Sequence, residues 1–477
     1  MKQVIDTEVC VIGGGPSGST IACKLAQFGH VACLIEKSAF PRRRLGESLP
    51  PSILPVLDGL GLRQLIESAG FLRPGSTIVR WASAGDVRKP YSLARGFHVD
   101  RGRFDALLLE GARSCGVQVL QPACAIHPQR HPQHGWLVRV RTNATVKTVR
   151  ARIVVDATGR RGLRPHMRRR ISTPTLALYG YWHRVPLDGI EARVEAAPDA
   201  WYWGAPLPDG SFNAMVFLDT QKCAGARTVG LVRLYREHLA RSGLLRLCLR
   251  GCLQGKVRAC DATSYADADP IRPDFLRVGE AAYAIDPLSS QGVQVAMLSA
   301  IQGGIALHTI LTTPEQTADA IEFYRDRQAT AVTRSARTAA RLYSTAEPFA
   351  TEPFWQRRAA SVDNVVSERT TQQVVPRLRP DQPVALSKAL QVVETPAVVG
   401  DLIRRVPALV HPALASPVAF LGSTELVPLL TDVVAGLTVD EIIRQWALRL
   451  ELRDCIRIMQ WLWRMGIVVP AALVGER

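Results

Sequence analysis

The stretch that decides the fold is residues 8–36, EVCVIGGGPSGSTIACKLAQFGHVACLIE. It reads as a short buried strand, a glycine turn, a helix that Gly29 closes, and a second strand. Gly13 and Gly15 permit a tight turn and a close approach of the backbone to a pyrophosphate, and Gly18 lets the helix pack against the sheet. Because the helix N-terminus favours anions, the stretch predicts a Rossmann-type dinucleotide-binding fold.

Glu36 indicates which dinucleotide this fold would take. It ends the second strand, where a carboxylate accepts hydrogen bonds from an unphosphorylated adenosine ribose. That choice fits FAD or NAD and excludes NADP at this position. The chain has one such fingerprint, so a second, permanent nicotinamide domain is not expected.

Composition narrows the class of protein and its partners. The chain has 477 residues, 47% of them hydrophobic, which excludes disorder, collagen and coiled coil. Its 59 Lys and Arg outnumber 42 Asp and Glu, which gives a net charge of +17. Such a surplus attracts nucleic acid, anionic lipid, phosphorylated cofactors or acidic protein. The ten cysteines match no zinc pattern and predict buried thiols in a reducing cytoplasm, with no metal site.

Targeting segments are not predicted. The most apolar stretch, residues 292–307, contains polar side chains and falls short of a spanning length. The N-terminus lacks a signal-peptide core and passes straight into the first strand. A cytoplasmic protein is therefore expected.

Further motifs follow the fingerprint at wide intervals. RLGESLP occupies residues 44–50, HVDRGRFD residues 98–105, and IVVDATG residues 153–159. LRVGEAA at 276–282 is followed by DPLSSQG at 286–292, which leads into an apolar helix. Each segment combines a predicted strand or helix end with a turn, which is typical of loops that gather around a ligand.

Taken together, these motifs resemble the FAD-dependent aromatic hydroxylases and the flavin-dependent halogenases, which share the p-hydroxybenzoate-hydroxylase-like fold. The resemblance covers about residues 5–345. It implies FAD as cofactor and an α/β fold, with a Rossmann-type FAD-binding domain interleaved with a β-sheet substrate domain. It also implies that Arg101 and the Gly279 turn hold the ribityl and pyrophosphate parts, and that residues 286–292 lie against the isoalloxazine. Glu280 stands where the family usually has Asp. The predicted cofactor-binding residues are Gly13, Gly15, Pro16, Ser17, Gly18, Glu36, Lys37, Arg44, Glu47, Ser48, Arg101, Asp156, Gly159, Gly279, Glu280, Asp286, Pro287, Ser290, Gly292 and Val293.

Residues 201–206, WYWGAP, bear on the reaction. They resemble the W-x-W-x-I-P motif of the halogenases, with Ala205 in place of Ile. The halogenases also use a Lys to handle hypohalous acid, and the matching stretch before Trp81, residues 73–80, contains none. Because Arg does not deprotonate near neutral pH, it cannot shuttle the proton instead. The sequence therefore argues against halogenation.

Trp201 and Trp203 are the candidate substrate residues. They alternate in a predicted strand, so both side chains point to one face of the sheet. Two interpretations stay open: they line a substrate channel, or they are aromatic residues that pack the sheet. No catalytic base can be assigned from the sequence, and electron-rich rings need little activation by a base.

The last third of the chain divides into two parts. Residues 346–410 are predicted to be a helical connecting region, with helical patches at 362–371 and 386–393. Residues 411–477 are predicted to form a small winged-helix-like domain, in which Thr438 begins a helix with a capping box. This pattern resembles the winged-helix modules that recognise precursor peptides in peptide-modifying enzymes. A generic helical cap on the flavin domain is the alternative.

The predicted monooxygenase fold covers residues 1–345. The parts predicted to bind FAD are approximately residues 1–80, 95–170 and 265–345. The predicted substrate sheet comprises approximately residues 80–95 and 171–265. Basic residues concentrate beside two of the motifs, where they either steer an acidic partner or form solvated faces. They are Arg42, Arg43, Arg44, Arg160, Arg161, Arg164, Arg168, Arg169 and Arg170.

The resemblance implies an FAD-dependent monooxygenase that hydroxylates an aromatic ring through a flavin C4a-hydroperoxide, with NADH or NADPH as transient reductant and O2 as co-substrate. The chain is most similar to the flavoprotein monooxygenases of tryptophylquinone cofactor maturation, as for quinohemoprotein amine dehydrogenase. The missing Lys, the C-terminal pattern and the basic charge favour a Trp side chain of an acidic polypeptide.

Several alternatives stay open. They are a small-molecule aromatic hydroxylase or halogenase of a natural-product pathway, a geranylgeranyl-reductase-like flavoprotein, and a flavin-binding module without turnover. No nucleic-acid or membrane partner is predicted, because no segment supports either. The oligomeric state is left open.

Overall fold

The computed structural model describes residues 4–83, 85–91, 94–133, 135–143, 145–163, 167–223, 228–360 and 377–473. Contacts divide the chain into two compact units. The first comprises residues 1–312 and 324–365, and the second comprises residues 313–323 and 366–477. The predicted α/β class is confirmed, because parallel strands and helices alternate through the first unit. The predicted domain boundaries stay a prediction.

Up to residue 360 the helices are α1 Pro16–Gln27, α2 Leu54–Asp58, α3 Arg63–Glu67, α4 Arg101–Ser114, α5 Thr228–Arg241, α6 Gly292–Thr312, α7 Thr317–Ser344 and α8 Pro353–Ala359. The strands of the same part are β1 Val4–Ile12, β2 Ala32–Ile35, β3 Ser48–Leu49, β4 Ser76–Arg80, β5 Val87–Pro90, β6 Phe97–His98, β7 Gln118–Leu120, β8 Ala123–His131, β9 Gly135–Thr142, β10 Val146–Asp156, β11 Arg168–Arg170, β12 Thr175–His183, β13 Ala192–Ala197, β14 Ala200–Pro206, β15 Phe212–Asp219, β16 Cys252–Asp261, β17 Tyr265–Asp267, β18 Ile271–Arg272, β19 Phe275–Arg277 and β20 Tyr283–Ala284.

The nucleotide-binding sheet has the strand order β18-β19-β10-β1-β2-β7. Strand β1 pairs in parallel with both β10 and β2, so it lies at the centre. Its residues Val9 and Val11 are fully buried, as expected for a parallel strand covered on both faces. Helices α1 and α6 pack against each other, and Gly304 lets the α6 backbone approach Ile21 and Lys24 of α1.

A second sheet of seven strands runs in the order β16-β12-β15-β14-β13-β4-β5. Strands β4 and β5 come from the chain before α4, whereas the other five follow β11. This arrangement confirms the predicted interleaving of a nucleotide-binding domain with a substrate sheet. Side chains alternate along β14, so Trp201 and Trp203 enter one apolar cluster while Tyr202 enters another.

The second unit contains strands and short helices. Its strands are β21 Val384–Leu386, β22 Gln391–Val399, β23 Leu402–Val410, β24 Phe420–Leu421, β25 Thr424–Glu425 and β26 Val468–Pro470, and its helices after residue 376 are α9 Val427–Leu430, α10 Val439–Trp446 and α11 Leu452–Arg464. Strand β21 pairs with β26, so the two ends of the unit meet. The core contains the buried side chains of Leu426, Trp446, Ile458 and Leu462.

The predicted helical patch at residues 386–393 is wrong. The chain there forms the end of β21 and the start of β22, which pairs with β23 along its whole length. The β-branched residues Val392 and Val393 favour a strand, and Gly400 at φ +62° supplies the tight turn of the hairpin. The other predicted patch, residues 362–371, lies outside the described residues.

The capping box predicted at Thr438 is present. The Thr438 hydroxyl accepts a hydrogen bond from the Glu441 backbone N–H, and the Glu441 carboxylate accepts one from the Thr438 N–H at 2.8 Å. Both satisfy donors that the start of α10 would otherwise leave unpaired.

Replacing Thr438 with alanine is expected to lower the free energy of unfolding of the second unit by about 1 kcal/mol, since one of these acceptors is lost. Thr438→Ser keeps the hydroxyl and serves as the control. Chemical denaturation followed by far-UV circular dichroism measures both. Equal stability of the two variants would contradict the capping role.

Helix α6 is the one described helix that is long and apolar enough to cross a membrane. It extends to Thr312 and reaches 21 residues, five more than the apolar stretch recognised in the sequence. However, 56% of its most apolar window is buried. Together with its packing on α1, this indicates the core helix of a folded domain.

The prediction of buried thiols holds for only half of the cysteines. Cys10, Cys23, Cys33, Cys248 and Cys455 are buried, whereas Cys252 is exposed on β16. All ten are free thiols. Within the described ranges, no group of three or more His, Cys, Asp and Glu side chains could hold a metal ion.

Candidate cofactor and substrate site

The glycine turn after β1 has the tight packing that its sequence predicts. Gly13 adopts φ +110°, a conformation that side chains rarely tolerate, and a Cβ there would overlap the Ala157 carbonyl. A Cβ on Gly18 would overlap the Gly13 carbonyl oxygen. These two glycines are therefore required by the protein itself, because α1 and β10 approach the turn from either side.

Gly15 differs from its neighbours, and this difference supports a bound pyrophosphate. A Cβ on Gly15 would meet only one protein atom within 4 Å, Nη2 of Arg42 at 3.8 Å. Gly15 is also the N-cap of α1, which has Pro16 in its first turn and no side chain that caps it. The N–H groups in the first turn of α1 thus lie beside Gly15, which has no side chain to block an approaching anion. We call this turn, Gly15 and the start of α1, the cradle, because such a helix N-terminus binds anions. The residues present fit the phosphates of FAD.

Glu36 lies where the fingerprint predicts. It is buried, and its two carboxylate oxygens accept hydrogen bonds from the backbone N–H groups of Gly14 and Ser38, each at 2.8 Å. Arg42 also donates to Oε2, so Oε1, which accepts only from Ser38 among the described residues, keeps a lone pair for a ribose hydroxyl. Glu36 therefore stabilises the conformation of the glycine turn, in addition to its predicted contact with the adenosine ribose.

Of the basic triplet after β2, the structure brings Arg42 to the fingerprint. Its Nη2 lies 3.5 Å from Glu36 and 3.9 Å from Asp105. The predicted cofactor residues Lys37 and Arg44 are exposed, and their contacts stay predictions. The sequence shows three consecutive arginines at residues 42–44, but it does not indicate which of them contacts the fingerprint.

The G-E-S turn, Arg101 and the start of α6 come together although they are far apart in sequence. The buried guanidinium of Arg101 donates to the carboxylate of Asp105 at 3.0 Å and to the Leu45 carbonyl. A Cβ on Gly46 would lie 2.7 Å from Arg101 and 3.4 Å from Val293. Ser48 pairs with His98 in the short β3–β6 ladder, which anchors the turn.

The turn at residues 279–281 packs on the first turn of α1. Gly279 has φ +60°, and a Cβ there would lie 2.6 Å from the Ser17 hydroxyl. Its N–H donates to the Ser299 hydroxyl of α6 at 2.7 Å. The carboxylate of Glu280 points elsewhere: it is exposed and pairs with Arg160 at 3.3 Å. The longer side chain at this position therefore leads to a protein ion pair.

Asp156 shapes the D-A-T-G turn through its own hydrogen bonds. Its carboxylate accepts from the N–H and hydroxyl of Thr158 and from the N–H of Leu163, the last at 2.8 Å. Gly159, which follows at φ +72°, would meet none of the described atoms within 4 Å if it carried a Cβ. The backbone at Gly159 is therefore accessible to a ligand, and the hydrogen bonds of Asp156 hold the turn in this conformation.

The loop that leads into α6 is held by a buried carboxylate. Asp286 accepts hydrogen bonds from the Leu288 N–H at 3.0 Å and from the Tyr343 hydroxyl at 3.1 Å. Burial raises the pKa of Asp286, and these hydrogen bonds oppose the rise. Pro287 starts a short 3-10 turn, and Ser290 adopts a left-handed conformation at φ +52°. Gly292 then begins α6, with no atom within 4 Å of a Cβ placed on it.

Trp201 and Trp203 lie on one face of the substrate sheet, as predicted, and both are buried. Trp201 stacks on Phe217 with ring centroids 3.7 Å apart, and Trp81 meets its edge at 6.4 Å. The same cluster includes Tyr343, which binds Asp286. The aromatic residues therefore pack the sheet and extend to the loop predicted to face the isoalloxazine.

Sequence reasoning missed the polar group around Glu47. The Glu47 carboxylate, 2% exposed, accepts hydrogen bonds from the Tyr181 hydroxyl at 2.7 Å and the Asn213 amide at 3.1 Å. Burial raises the pKa of Glu47, and the Tyr181 bond opposes it. Tyr181 and Asn213 are paired across β12 and β15 of the substrate sheet. Nothing local in the sequence signals this group, because its members are 134 and 166 residues from Glu47.

His98 is a second buried polar residue near the site. It is fully buried, and neither ring nitrogen has a hydrogen-bond partner within the described residues. Burial lowers the pKa of His98 from 6.5 to about 4. The folded state therefore keeps a neutral ring at a pH where the unfolded chain already binds a proton.

Acid is expected to destabilise the protein through His98. Between pH 6.5 and pH 4 the unfolded state takes up a proton that the folded state refuses, which costs up to about 3 kcal/mol. His98→Leu should flatten this part of the pH–stability curve relative to the wild type. Denaturant melts at pH 7, 5.5 and 4.5 give the comparison. Parallel curves for wild type and His98→Leu would contradict this assignment.

The basic run after the D-A-T-G turn is only partly exposed. Arg160 pairs with Glu280, and Arg168 donates to the Arg160 carbonyl and lies over the Tyr265 ring at 4.4 Å. Arg161, Arg169 and Arg170 are exposed. Arg164 lies outside the described residues. Two arginines thus build the turn, and the exposed ones stay available for the steering role that was predicted.

Comparisons with known proteins also indicate an FAD-binding site. Residues 6–203 match the family described as FAD binding domain. A tryptophan 2-halogenase from Chondromyces crocatus is 31% identical over 345 residues, which cover 68% of this chain and 65% of the halogenase. A flavin-dependent halogenase from Armillaria mellea is 28% identical over 366 residues, which cover 68% of this chain and 69% of that protein. The chain thus spans just under two thirds of the Chondromyces protein.

Solved structures show the same fold over nearly the whole chain. A peptidyl tryptophan dihydroxylase essential for tryptophylquinone cofactor biogenesis superposes with a TM-score of 0.74 at 24% identity, covering 97% of this chain and 99% of its own. The flavin-dependent halogenase CmlS superposes with a TM-score of 0.79 at 21% identity, covering 98% and 96%. At these identities the likeness shows the fold alone. The predicted family resemblance is confirmed by the sequence and fold matches together.

Proposed function

We propose that the chain is an FAD-dependent monooxygenase that hydroxylates a Trp side chain of an acidic polypeptide. The match of residues 6–203 to an FAD binding domain and the similarity to named flavin-dependent halogenases support the flavin-dependent part of this proposal. The observation that carries FAD dependence is the cradle at Gly15, where no side chain caps α1 and Glu36 binds the neighbouring Gly14 N–H. Gly159 and Gly292 are two further positions at which a Cβ would meet no described atom within 4 Å.

The chain's own residues would hold FAD along this line. The first turn of α1 would bind the pyrophosphate, Glu36 the adenosine ribose, and Arg101 the ribityl region. The N-terminus of α6 favours negative charge on the neighbouring ring. When bound, FAD supplies the chemistry: reduced by NADH or NADPH, it activates O2 for transfer of one oxygen atom to an aromatic ring.

The protein's own contribution is to exclude water from the reacting groups and to hold cofactor and substrate in fixed positions. The aromatic cluster around Trp81, Trp201 and Phe217 leaves apolar walls on the sheet side, which excludes water from reactive groups. Glu47 ties the G-E-S turn to Tyr181 and Asn213, so the cofactor-side turn and the substrate sheet share one hydrogen-bonded group. The raised pKa of Glu47 also lets its carboxylate hold a proton more readily than an exposed glutamate does.

Hydroxylation is preferred to halogenation because strand β4 lacks the lysine. Its cation is Arg80, whose guanidinium pairs with Asp86 at 2.7 Å and lies 3.7 Å from Glu195. A guanidinium held by two carboxylates stays protonated and cannot pass a proton. Halogenation remains the second candidate, since the sequence relatives are named halogenases.

A polypeptide substrate is supported by two independent features. The net charge of +17 far exceeds what FAD requires and suits an acidic partner. A protein named a peptidyl tryptophan dihydroxylase shares the fold over 97% of the chain, as the halogenase CmlS does over 98%, so its named activity and not the coverage supports a peptide substrate. We propose that the second unit, for which the sequence predicts a winged-helix-like domain, helps to recognise the polypeptide.

The proposal predicts how cofactor oxidation responds to substrates. The purified protein should be yellow, and an acidic Trp-containing peptide should speed NADH or NADPH oxidation several-fold over the rate without substrate. Stopped-flow and steady-state absorbance measure this. Equal stimulation by free tryptophan would favour a small-molecule hydroxylase. A brominated product in the presence of bromide would favour the halogenase function. A colourless protein would exclude every function that depends on bound flavin.

A further inference from the structure

A cleft of about 510 Å³ opens beside the substrate sheet, at a place that the proposed cofactor site does not use. It lies between the β4–β5 hairpin and the C-terminal part of α7, all within the first unit. The residues that matter for its chemistry are Val79, Trp81, Val87, Lys89, Arg341 and Leu342.

The floor of the cleft is the outer end of the aromatic cluster. The indole N–H of Trp81 donates to the Leu342 carbonyl at 2.9 Å, which joins the sheet to α7. The Trp81 ring meets the edges of Trp355 at 5.1 Å and Trp201 at 6.4 Å. Val87 and Leu342 are 48% and 37% exposed at the mouth. The cleft therefore offers apolar surface that is continuous with the candidate substrate residue Trp201.

Charge distinguishes this cleft from the surface around it. Lys89 and Arg341 line it, and none of its lining residues is acidic. Other cations of the same hairpin are neutralised, Arg80 by Asp86 and Arg88 by Glu191. Within the described part of the chain, Lys89 and Arg341 have no carboxylate within ion-pair distance. Two uncompensated cations thus stand at the rim of an apolar floor.

We propose that this cleft docks an acidic segment of the polypeptide substrate, with an apolar side chain against Val87 and Leu342 at the mouth and carboxylates at Lys89 and Arg341. The inference rests on the proposed function, since it names where that substrate binds. A second copy of this chain fits poorly, because each copy carries a net charge of +17. Nucleic acid fits poorly as well: Trp81 is only 9% exposed and offers no ring face for base stacking.

Reversal of both charges tests the docking surface. Lys89→Glu/Arg341→Glu should raise the Kd of a fluorescein-labelled peptide with one Trp and several Glu residues about tenfold at low ionic strength, because two attractions to peptide carboxylates become repulsions. Fluorescence anisotropy measures Kd, and steady-state kinetics should show the same rise in KM with kcat and bound FAD unchanged. Arg334→Glu, an exposed residue of α7 outside the cleft, is the matched control and should change Kd less than twofold.

The outcomes separate this inference from the proposed function. Unchanged Kd in the double variant, or an equal change in Arg334→Glu, overturns the docking surface even if the peptide is hydroxylated. A rise in Kd confined to the double variant supports the surface, also when the peptide gains no oxygen and the proposed function fails. The rate of NADH oxidation without substrate and the flavin content should be the same in all three proteins.

Discussion

Gly15→Ala is expected to purify as a folded protein that has lost most of its FAD. The new methyl group meets only the end of the Arg42 side chain at 3.8 Å, so the apoprotein accommodates it. It projects into the space where the backbone must approach the pyrophosphate. We expect FAD affinity to fall at least about a hundredfold, which corresponds to roughly 2.7 kcal/mol. Flavin absorbance per polypeptide and a thermal melt of the apoprotein measure the two effects separately.

Gly18→Ala is the matched variant and should behave in the opposite way. Its methyl group would overlap the Gly13 carbonyl, which is backbone and cannot turn aside. The helix must move off the sheet, so the apoprotein itself is expected to lose about 1–3 kcal/mol of stability. Full flavin content in Gly15→Ala, or identical melting temperatures of the two apoproteins, would contradict the assignment of the cradle.

Glu47→Ala is expected to damage both stability and coupling. The substitution leaves the Tyr181 hydroxyl and the Asn213 amide without their buried acceptor, at a cost of about 2–4 kcal/mol. The G-E-S turn then loses its tie to the substrate sheet, so reduced cofactor should be consumed with much less product. We expect the ratio of product to NADH to fall at least about tenfold, since precise placement decides such steps.

Two further variants separate positioning by Glu47 from a purely structural effect. Tyr181→Phe removes one donor but leaves the carboxylate with Asn213 and Gly46, so it should cost only about 1 kcal/mol. Glu47→Gln keeps the shape and removes the charge, and its pH profile of coupling should differ from that of the wild type. A coupling ratio that stays at the wild-type value in Glu47→Gln and Glu47→Ala would contradict a role for Glu47 beyond folding.

The parts of the site that could be predicted from the sequence are those formed by local patterns. The fingerprint places Gly13, Gly15 and Gly18 within six residues, and the geometry of a βα turn follows from such spacing. Alternation along β14 likewise indicated that Trp201 and Trp203 share a face. Both predictions depend on backbone geometry that extends over one or two elements.

The parts that escaped prediction depend on packing between distant segments. Tyr181 and Asn213 reach Glu47 only once the substrate sheet is assembled beside the G-E-S turn. The choice of Arg42 over Arg44 is set by the direction in which the loop enters the sheet. The helical patch predicted at residues 386–393 is wrong because a short apolar run such as QVV fits a helix or a strand until its partner strand is known.

The most direct test of the central claim is tandem mass spectrometry of an acidic Trp-containing polypeptide after incubation with the FAD-loaded protein, NADH, chloride and ¹⁸O2. The account predicts one or two ¹⁸O atoms on the Trp side chain and no chlorine. A chlorinated product, or ¹⁸O found only in free small aromatic compounds while the polypeptide stays unchanged, would contradict it.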